Sequence, residues 1–295
     1  MDYVIETDAL TKRYGMKVAV NNMNVHVERG DIYGLIGKNG AGKTTLMKVL
    51  LGLTIPNGGS MRLFGSDDLN TARKKIGSLI EAPALFKNET AFENMKRFAI
   101  LAKTSDDEIK RLLDLVGLGD TGRKKTGAFS LGMKQRLGIA IALLGNPEIL
   151  ILDEPINGLD PAGIKEVRDM IVELNAKGIT FMISSHILDE LGKIATTYGI
   201  VNDGYLEEIS AEELKSRCKS SLKITTDNGV KAADVLKEQF PELTLVCEGN
   251  VIRITSEVGN SALLNKALAN ADVAVYSIAD ETVGFEDYFI ERLGK

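Results

Sequence analysis

The sequence predicts an α/β protein with a smaller α+β unit after it, and three observations carry that prediction. Two apolar segments, "EILILDEP" and "ITFMISSH", flank a well-marked helix, the pattern of buried parallel strands joined by a crossover. The glycine-rich run "GKNGAGKTT" stands between an apolar strand, "DIYGLIG", and an amphipathic helix. From about residue 216 the texture changes. "SLKITT", "VKAADVLKEQF", "LTLVCEGNVIRIT", "SALLNKALANA", "VAVYSIAD" and "TVGFEDYFIERLG" read as strand, helix, hairpin, helix, strand, helix. The expected domains are therefore 1–215 and 216–295.

At 295 residues, 44% apolar and 26% charged, the chain has ample core and the balance of an ordinary globular protein. A net charge of −5 weighs against a polyanion-binding surface, and no nucleic-acid partner is expected. Cys218 and Cys247 fit neither a disulfide framework nor a metal-ligand spacing, which suits a reducing compartment. The acidic start "MDYVIETDAL" does not read as a signal peptide, and no apolar run approaches the roughly 18 residues that span a bilayer. A soluble, cytoplasmic protein is expected.

Residues 1 to about 36 alternate as strands do, with His26 on the polar beat of "VHV", where a solvent-facing ring is expected. A helix follows from Thr44 to about Leu51, then a turn and a short strand in "GLTIPNGGSMRLFG". Residues 88 to 145 read as mostly helical, and Thr90 with Glu93 and Ser105 with Glu108 both match the capping-box pattern. "LDPAGIKEVRDMIVELNAKG" places Asp160 at the N-cap, Pro161 at the first helical position and Gly178 just past the end.

The run Gly37, Lys38, Asn39, Gly40, Ala41, Gly42, Lys43, Thr44 matches G-x-x-x-x-G-K-[ST] in the required strand–loop–helix context. Glycines let the backbone wrap phosphate oxygens with its N–H groups inward, and the helix adds its positive end. Lys43 suits the β- and γ-phosphates and Thr44 offers a hydroxyl to Mg²⁺, with Thr45 completing the first turn. The strand 149–152 ends in Asp153, which suits Mg²⁺ through its water shell, and Glu154, which can polarise a water. Paired acids here equally suit the capping of a neighbouring helix. Ser130, before a helix over 131–144, suits either an anion site or a plain N-cap.

Taken together, residues 1 to about 215 resemble the ATP-binding subunits of ABC transporters. "GKNGAGKT" resembles Walker A, "FSLGMKQ" the LSGGQ signature, "ILILDE" Walker B, "NGLD" the D-loop, and "SSH", ending at His186, the switch histidine. Tyr14 falls where that family places an aromatic on adenine. The signature departs at Phe129, Leu131 and Met133 but keeps Ser130 and Gly132, which the family uses at the γ-phosphate. The resemblance implies a P-loop ABC ATPase cassette: a mixed sheet core, an antiparallel β lobe and a helical arm over about 82–145. It also implies ATP and Mg²⁺ as cofactors, Glu154 as general base, His186 as γ-phosphate sensor and Asp160 coupling two sites. In the family the signature closes over the Walker A nucleotide of another subunit, so a second cassette and integral membrane permease subunits are the implied partners. The chain would then sit on the inner face of the cell membrane, held there by those permease subunits.

The segment "KKIGSLIEAPALF" reads as a strand stopping at Glu81, where the family has a glutamine near Mg²⁺ and the attacking water. This glutamate resembles the subgroup of bacitracin-resistance and lantibiotic self-immunity exporters, as does the small C-terminal unit ending in "FEDYFIERLGK". An ionised glutamate is acceptor-only and charged, so Glu81 is expected on the metal side, ligating Mg²⁺ directly or through water. DNA- and ribosome-acting relatives are disfavoured. There is no room for a long coiled coil, there are too few cysteines for zinc modules, and only one cassette is present.

Overall fold

The computed structural model describes residues 2–217, 220–254, 261–282 and 289. The chain divides into two compact units, Met1–Ala211 and Glu212–Lys295.

The first unit opens with β1 (Tyr3–Tyr14), β2 (Lys17–Met23), β3 (His26–Glu28) and β4 (Ile32–Ile36), then α1 (Lys43–Leu50), β5 (Gly58–Leu63), α2 (Leu69–Ala72) and β6 (Ile76–Leu79). The arm follows as α3 (Ala91–Ala102), α4 (Asp106–Leu115) and α5 (Leu131–Ala142). The chain then runs through β7 (Ile149–Asp153), α6 (Pro161–Ala176), β8 (Thr180–Ser185), α7 (Leu188–Gly192), β9 (Thr197–Asn202) and β10 (Tyr205–Ser210).

β1 pairs antiparallel with β2, β3 and β5 to make the β lobe. The central sheet runs β10-β9-β4-β8-β7-β6, parallel from β9 to β6, with β10 antiparallel at one edge. This is the mixed core, antiparallel lobe and helical arm expected of the cassette. β4, β7 and β8 are buried along their whole length, which is why they read as continuous apolar runs. Ile5, Leu10 and Val20 of the lobe share one core with Leu46, Met47 and Leu50 of α1 and with Ile149, Ile151 and Met182 of the sheet. The helix after the phosphate loop is thus clamped by apolar burial.

Local signals mostly behave as written. Thr90 and Glu93 form the full reciprocal capping box, and Asp160 caps α6 with Pro161 at its first position. One expectation needs correction. Ser105 caps α4 by accepting from the Glu108 N–H at 3.3 Å, but the return bond is missing. The Glu108 carboxylate instead accepts from Nε and Nη2 of Arg111, at 2.8 and 2.6 Å, a charge-assisted fork that outcompetes a neutral amide. His26 faces solvent, its side chain 38% exposed, but it is not a free ring. Its Nδ1 lies 2.7 Å from Glu208 Oε2 on β10, and its ring leans on Tyr3 at 5.2 Å.

In the second unit, after α8 (Ala211–Arg217), come β11 (Ser220–Thr226), α9 (Gly229–Gln239), β12 (Leu245–Glu248), β13 (Val251–Ile254), α10 (Ser261–Asn270) and β14 (Val275–Thr282). The antiparallel order β12-β13-β11-β14 makes this βαββαβ unit ferredoxin-like. Leu222, Ile224, Ile252 and Ile254 meet Ala232, Leu236, Leu264 and Leu268 in its own core. The helix expected in "TVGFEDYFIERLG" lies outside the described residues apart from Phe289, which is helical and buried, and Cys218 lies outside them too.

Candidate active site

β4, β7 and β8 end at one edge of the sheet, with Ile36 opposite Ser185 and Asp153 opposite Ser184. Three sequence motifs far apart in the chain meet there.

The phosphate loop leaves β4 pressed against its neighbours. A Cβ at Gly37 would stand 2.3 Å from the Val201 carbonyl oxygen, and one at Gly42 would stand 2.2 Å from that of Ala19. Gly42 also has φ +123°, a backbone no side chain tolerates easily. The loop and the first turn of α1 line a cleft of about 250 Å³ with Lys38, Asn39, Gly40, Gly42, Lys43, Thr44 and Thr45. Tyr14, Lys17 and Ala19 of the lobe form one wall, and Glu154 faces them. Gly37 and Ala41 do not line this cleft; the Ala41 N–H donates to the Lys38 carbonyl at 3.1 Å. Tyr14 is half exposed at the rim.

Lys43 is buried, donating to the Gly37 carbonyl at 2.6 Å, with its ammonium 3.6 Å from Glu154 Oε1. The Thr44 hydroxyl donates to Asp153 Oδ2 at 2.8 Å, and the Ser184 hydroxyl donates to Asp153 Oδ1 at 2.6 Å. Ser184 in turn accepts from the Glu154 N–H at 2.9 Å. One buried hydroxyl therefore orients both acids. Glu154 has φ +50°, which swings its side chain out of the strand line toward His186, whose Nδ1 is 2.7 Å from Oε2.

Ser130 and Gly132 open α5 on the arm, and neither they nor Asp160 line the cleft. The exposed Ser130 hydroxyl accepts from the Met133 N–H at 3.2 Å, so the plain N-cap use is present. Leu131 approaches the D-loop: a Cβ on Gly158 would be 3.0 Å from its Cδ2. Asp160 is occupied in capping, accepting from the Gly163 N–H at 3.2 Å. Glu81 stands past β6 with φ +61° and accepts from Lys48 Nζ at 2.7 Å. Each holds the other's charge: Lys48 rises above its usual range and Glu81 falls below its own, the hydrogen bond between them being the largest cause.

The family model described as ABC transporter matches residues 20–157. The bacitracin transport ATP-binding protein BcrA of Enterococcus faecalis is 42% identical over 303 residues, spanning 100% of this chain and 97% of its own. This chain belongs to the ABC transporter ATP-binding proteins. The lantibiotic transport ATP-binding protein SrtF of Streptococcus pyogenes is 46% identical over 201 residues, covering 68% of this chain and 88% of its own. A solved structure described as the ATP-binding subunit of an ABC transporter superposes with TM-score 0.65 at 29% identity, over 72% of this chain and 92% of that one.

The family's cassettes bind ATP and hydrolyse it to drive transport. In this ABC protein the sheet edge brings together Lys43, Thr44, Asp153, Glu154 and His186, while the arm holds Ser130 and Gly132 apart from them. Two residues of this site escaped the sequence reading. Ser184 was foreshadowed by a serine pair inside a strand otherwise apolar, and Lys48 by its place four residues after Thr44, one turn along the same helix face. Among the described residues no helix is long and apolar enough to cross a membrane.

Proposed function

We propose that this cassette hydrolyses Mg²⁺-bound ATP in sites shared with a second cassette, and that hydrolysis powers export of a bacitracin- or lantibiotic-type peptide through separate membrane subunits. The observation that carries the cargo is the full-length likeness to BcrA, which includes the C-terminal unit. SrtF, named for lantibiotic transport, adds to it.

The donor set suits Mg²⁺. Thr44 and Asp153 offer hard oxygens 2.8 Å apart at the mouth of the phosphate loop. Bound there, the metal would supply charge neutralisation for the transferring phosphoryl group. Glu81 is the third candidate ligand, its carboxylate accepting from a lysine on the helix that begins at the loop. Lys43 holds negative charge in a buried position, and Glu154 takes the proton of the attacking water. His186 orients the Glu154 carboxylate from Nδ1. Tyr14 gives the adenine ring a stacking face at the rim, and Asp160 couples the paired sites.

The shared-site reading is supported by the position of Ser130 and Gly132 outside the cleft that Lys43 and Glu154 line. Completion requires a second copy of α5, and the pair then works with permease subunits on the inner face of the cell membrane.

The test is protection of a sensitive bacterium by this chain expressed with its membrane partner. Resistance to bacitracin or a lantibiotic, abolished by Glu154→Gln at equal protein level, is the expected result. No protection against either class, in cells where the complex hydrolyses ATP, would assign another cargo.

A further inference from the structure

Lys48 lies one turn beyond Thr44 on α1, so the two side chains share a helix face. Its ammonium donates to Glu81 Oε1 at 2.7 Å. The negative charge of Asp153 also acts on it, after that of Glu81. Thr44 meanwhile donates to Asp153. Two carboxylates, a hydroxyl and an ammonium are thus gathered at one corner of the sheet edge. Glu81 reaches it from a left-handed backbone, φ +61°, a conformation L residues adopt only at a cost.

We propose that Lys48 is a positioning residue for Glu81. It holds the carboxylate by charge when no metal is bound, and releases it to Mg²⁺ beside Thr44 and Asp153. This rests on the metal-side reading of Glu81. The physical reason is charge balance: Glu81 brings a carboxylate to a lysine already under the charge of Asp153, and Lys48 supplies the compensating charge. The ion pair is open to water, with Glu81 66% and Lys48 34% exposed. An exposed pair is weak, so a divalent cation held by two further oxygens displaces it. A buried lysine such as Lys43 could not exchange so readily.

The experiment is calorimetric ATP binding to the purified full chain, titrated with Mg²⁺, for the parent, Lys48→Met, Lys48→Arg, Glu81→Gln and the Met/Gln double variant. Lys48→Met should lower the Mg²⁺ concentration for half-maximal enhancement of ATP binding about two- to fivefold, by freeing Glu81. Lys48→Arg should stay near the parent, and Lys48→Met should change nothing once Glu81 is glutamine. An equal effect of Lys48→Met in both backgrounds would overturn the proposal, because the lysine would then act without Glu81. So would no effect in the parent while Glu81→Gln alone raises the Mg²⁺ requirement; the metal-side reading of Glu81 would then survive. If Glu81→Gln leaves the requirement unmoved, that reading fails and the role of Lys48 falls with it.

Discussion

His186 Nδ1 stands 2.7 Å from one oxygen of Glu154, and Lys43 Nζ stands 3.6 Å from the other. The carboxylate is spanned by a ring and an ammonium and fixed from behind by its own N–H on Ser184. A carboxylate held at both oxygens is aimed in advance, which is the entropic contribution it would make as the proposed base.

Replacing Glu154 by Gln keeps the shape and removes the carboxylate proposed as the base. Steady-state ATP hydrolysis should fall by about 10²–10⁴-fold with ATP affinity retained. Size-exclusion chromatography with ATP should then show a dimer that the parent does not accumulate. Loss of ATP affinity in the variant would count against the base assignment.

Ser184→Ala deletes the hydroxyl that serves Asp153 and Glu154 together. It leaves Asp153 Oδ1 buried without this donor, and stability should fall by about 1–3 kcal/mol. Hydrolysis should drop as well, because the turn into Glu154 loses its anchor. Urea unfolding and turnover, measured on one preparation, check both. Unchanged values of either would show that Asp153 and Glu154 hold their places through Thr44 and strand pairing alone.

Mixing two inactive chains tests whether the sites are shared. Lys43→Met disables the loop side and Ser130→Arg the signature side, so each homodimer is dead. A mixed dimer carries one intact site, and equimolar mixing should recover part of the parent's ATPase rate. No recovery, with mixed dimers demonstrated by pull-down, would argue that each chain works alone.

Tyr33 predicts how stability changes with alkali. It is a wholly buried residue of β4, its hydroxyl donates to Glu208 at 2.8 Å, and burial first, then the Glu208 charge, holds it well above the usual tyrosine range. The folded state keeps this proton where the unfolded chain loses it. Stability from this group is therefore full below the unfolded value of about 10 and is lost as pH rises above it, by up to ~1.4 kcal/mol per unit. Urea midpoints measured above about pH 10 should fall less steeply in Tyr33→Phe than in the parent.

How much of this was legible in the sequence depends on the kind of information involved. The phosphate loop, the acids after β7 and the cap at Asp160 are local. Their spacing and strand–turn–helix context specify conformation within a few residues. The early strands, the mostly helical stretch over 88–145 and the elements after 216 were read from periodicity, while the antiparallel lobe and the arm came with the family resemblance. Partners set by sheet order did not. Glu208 receives the Tyr33 hydroxyl and the His26 N–H from strands 175 and 182 residues away, a meeting no spacing rule encodes. The half-made box at Ser105 shows a subtler limit. The pattern was right, yet Arg111, three residues beyond Glu108, offered its carboxylate a stronger donor.

The arm is an insertion between two strands that lie side by side, since β6 and β7 pair from Ile76 with Ile149 to Leu79 with Leu152. Both ends of the arm are therefore bolted to adjacent rails of one sheet, about 4.8 Å apart. Residues 82–148 thus begin directly after Glu81, just past β6, and end directly before β7, whose last residue is Asp153 with Glu154 next to it. The attachment at the sheet is narrow, but α5 also lies against α6, where Arg136 stands 3.6 Å from Glu166, so a shift of the arm is felt both at the two strands and at α6.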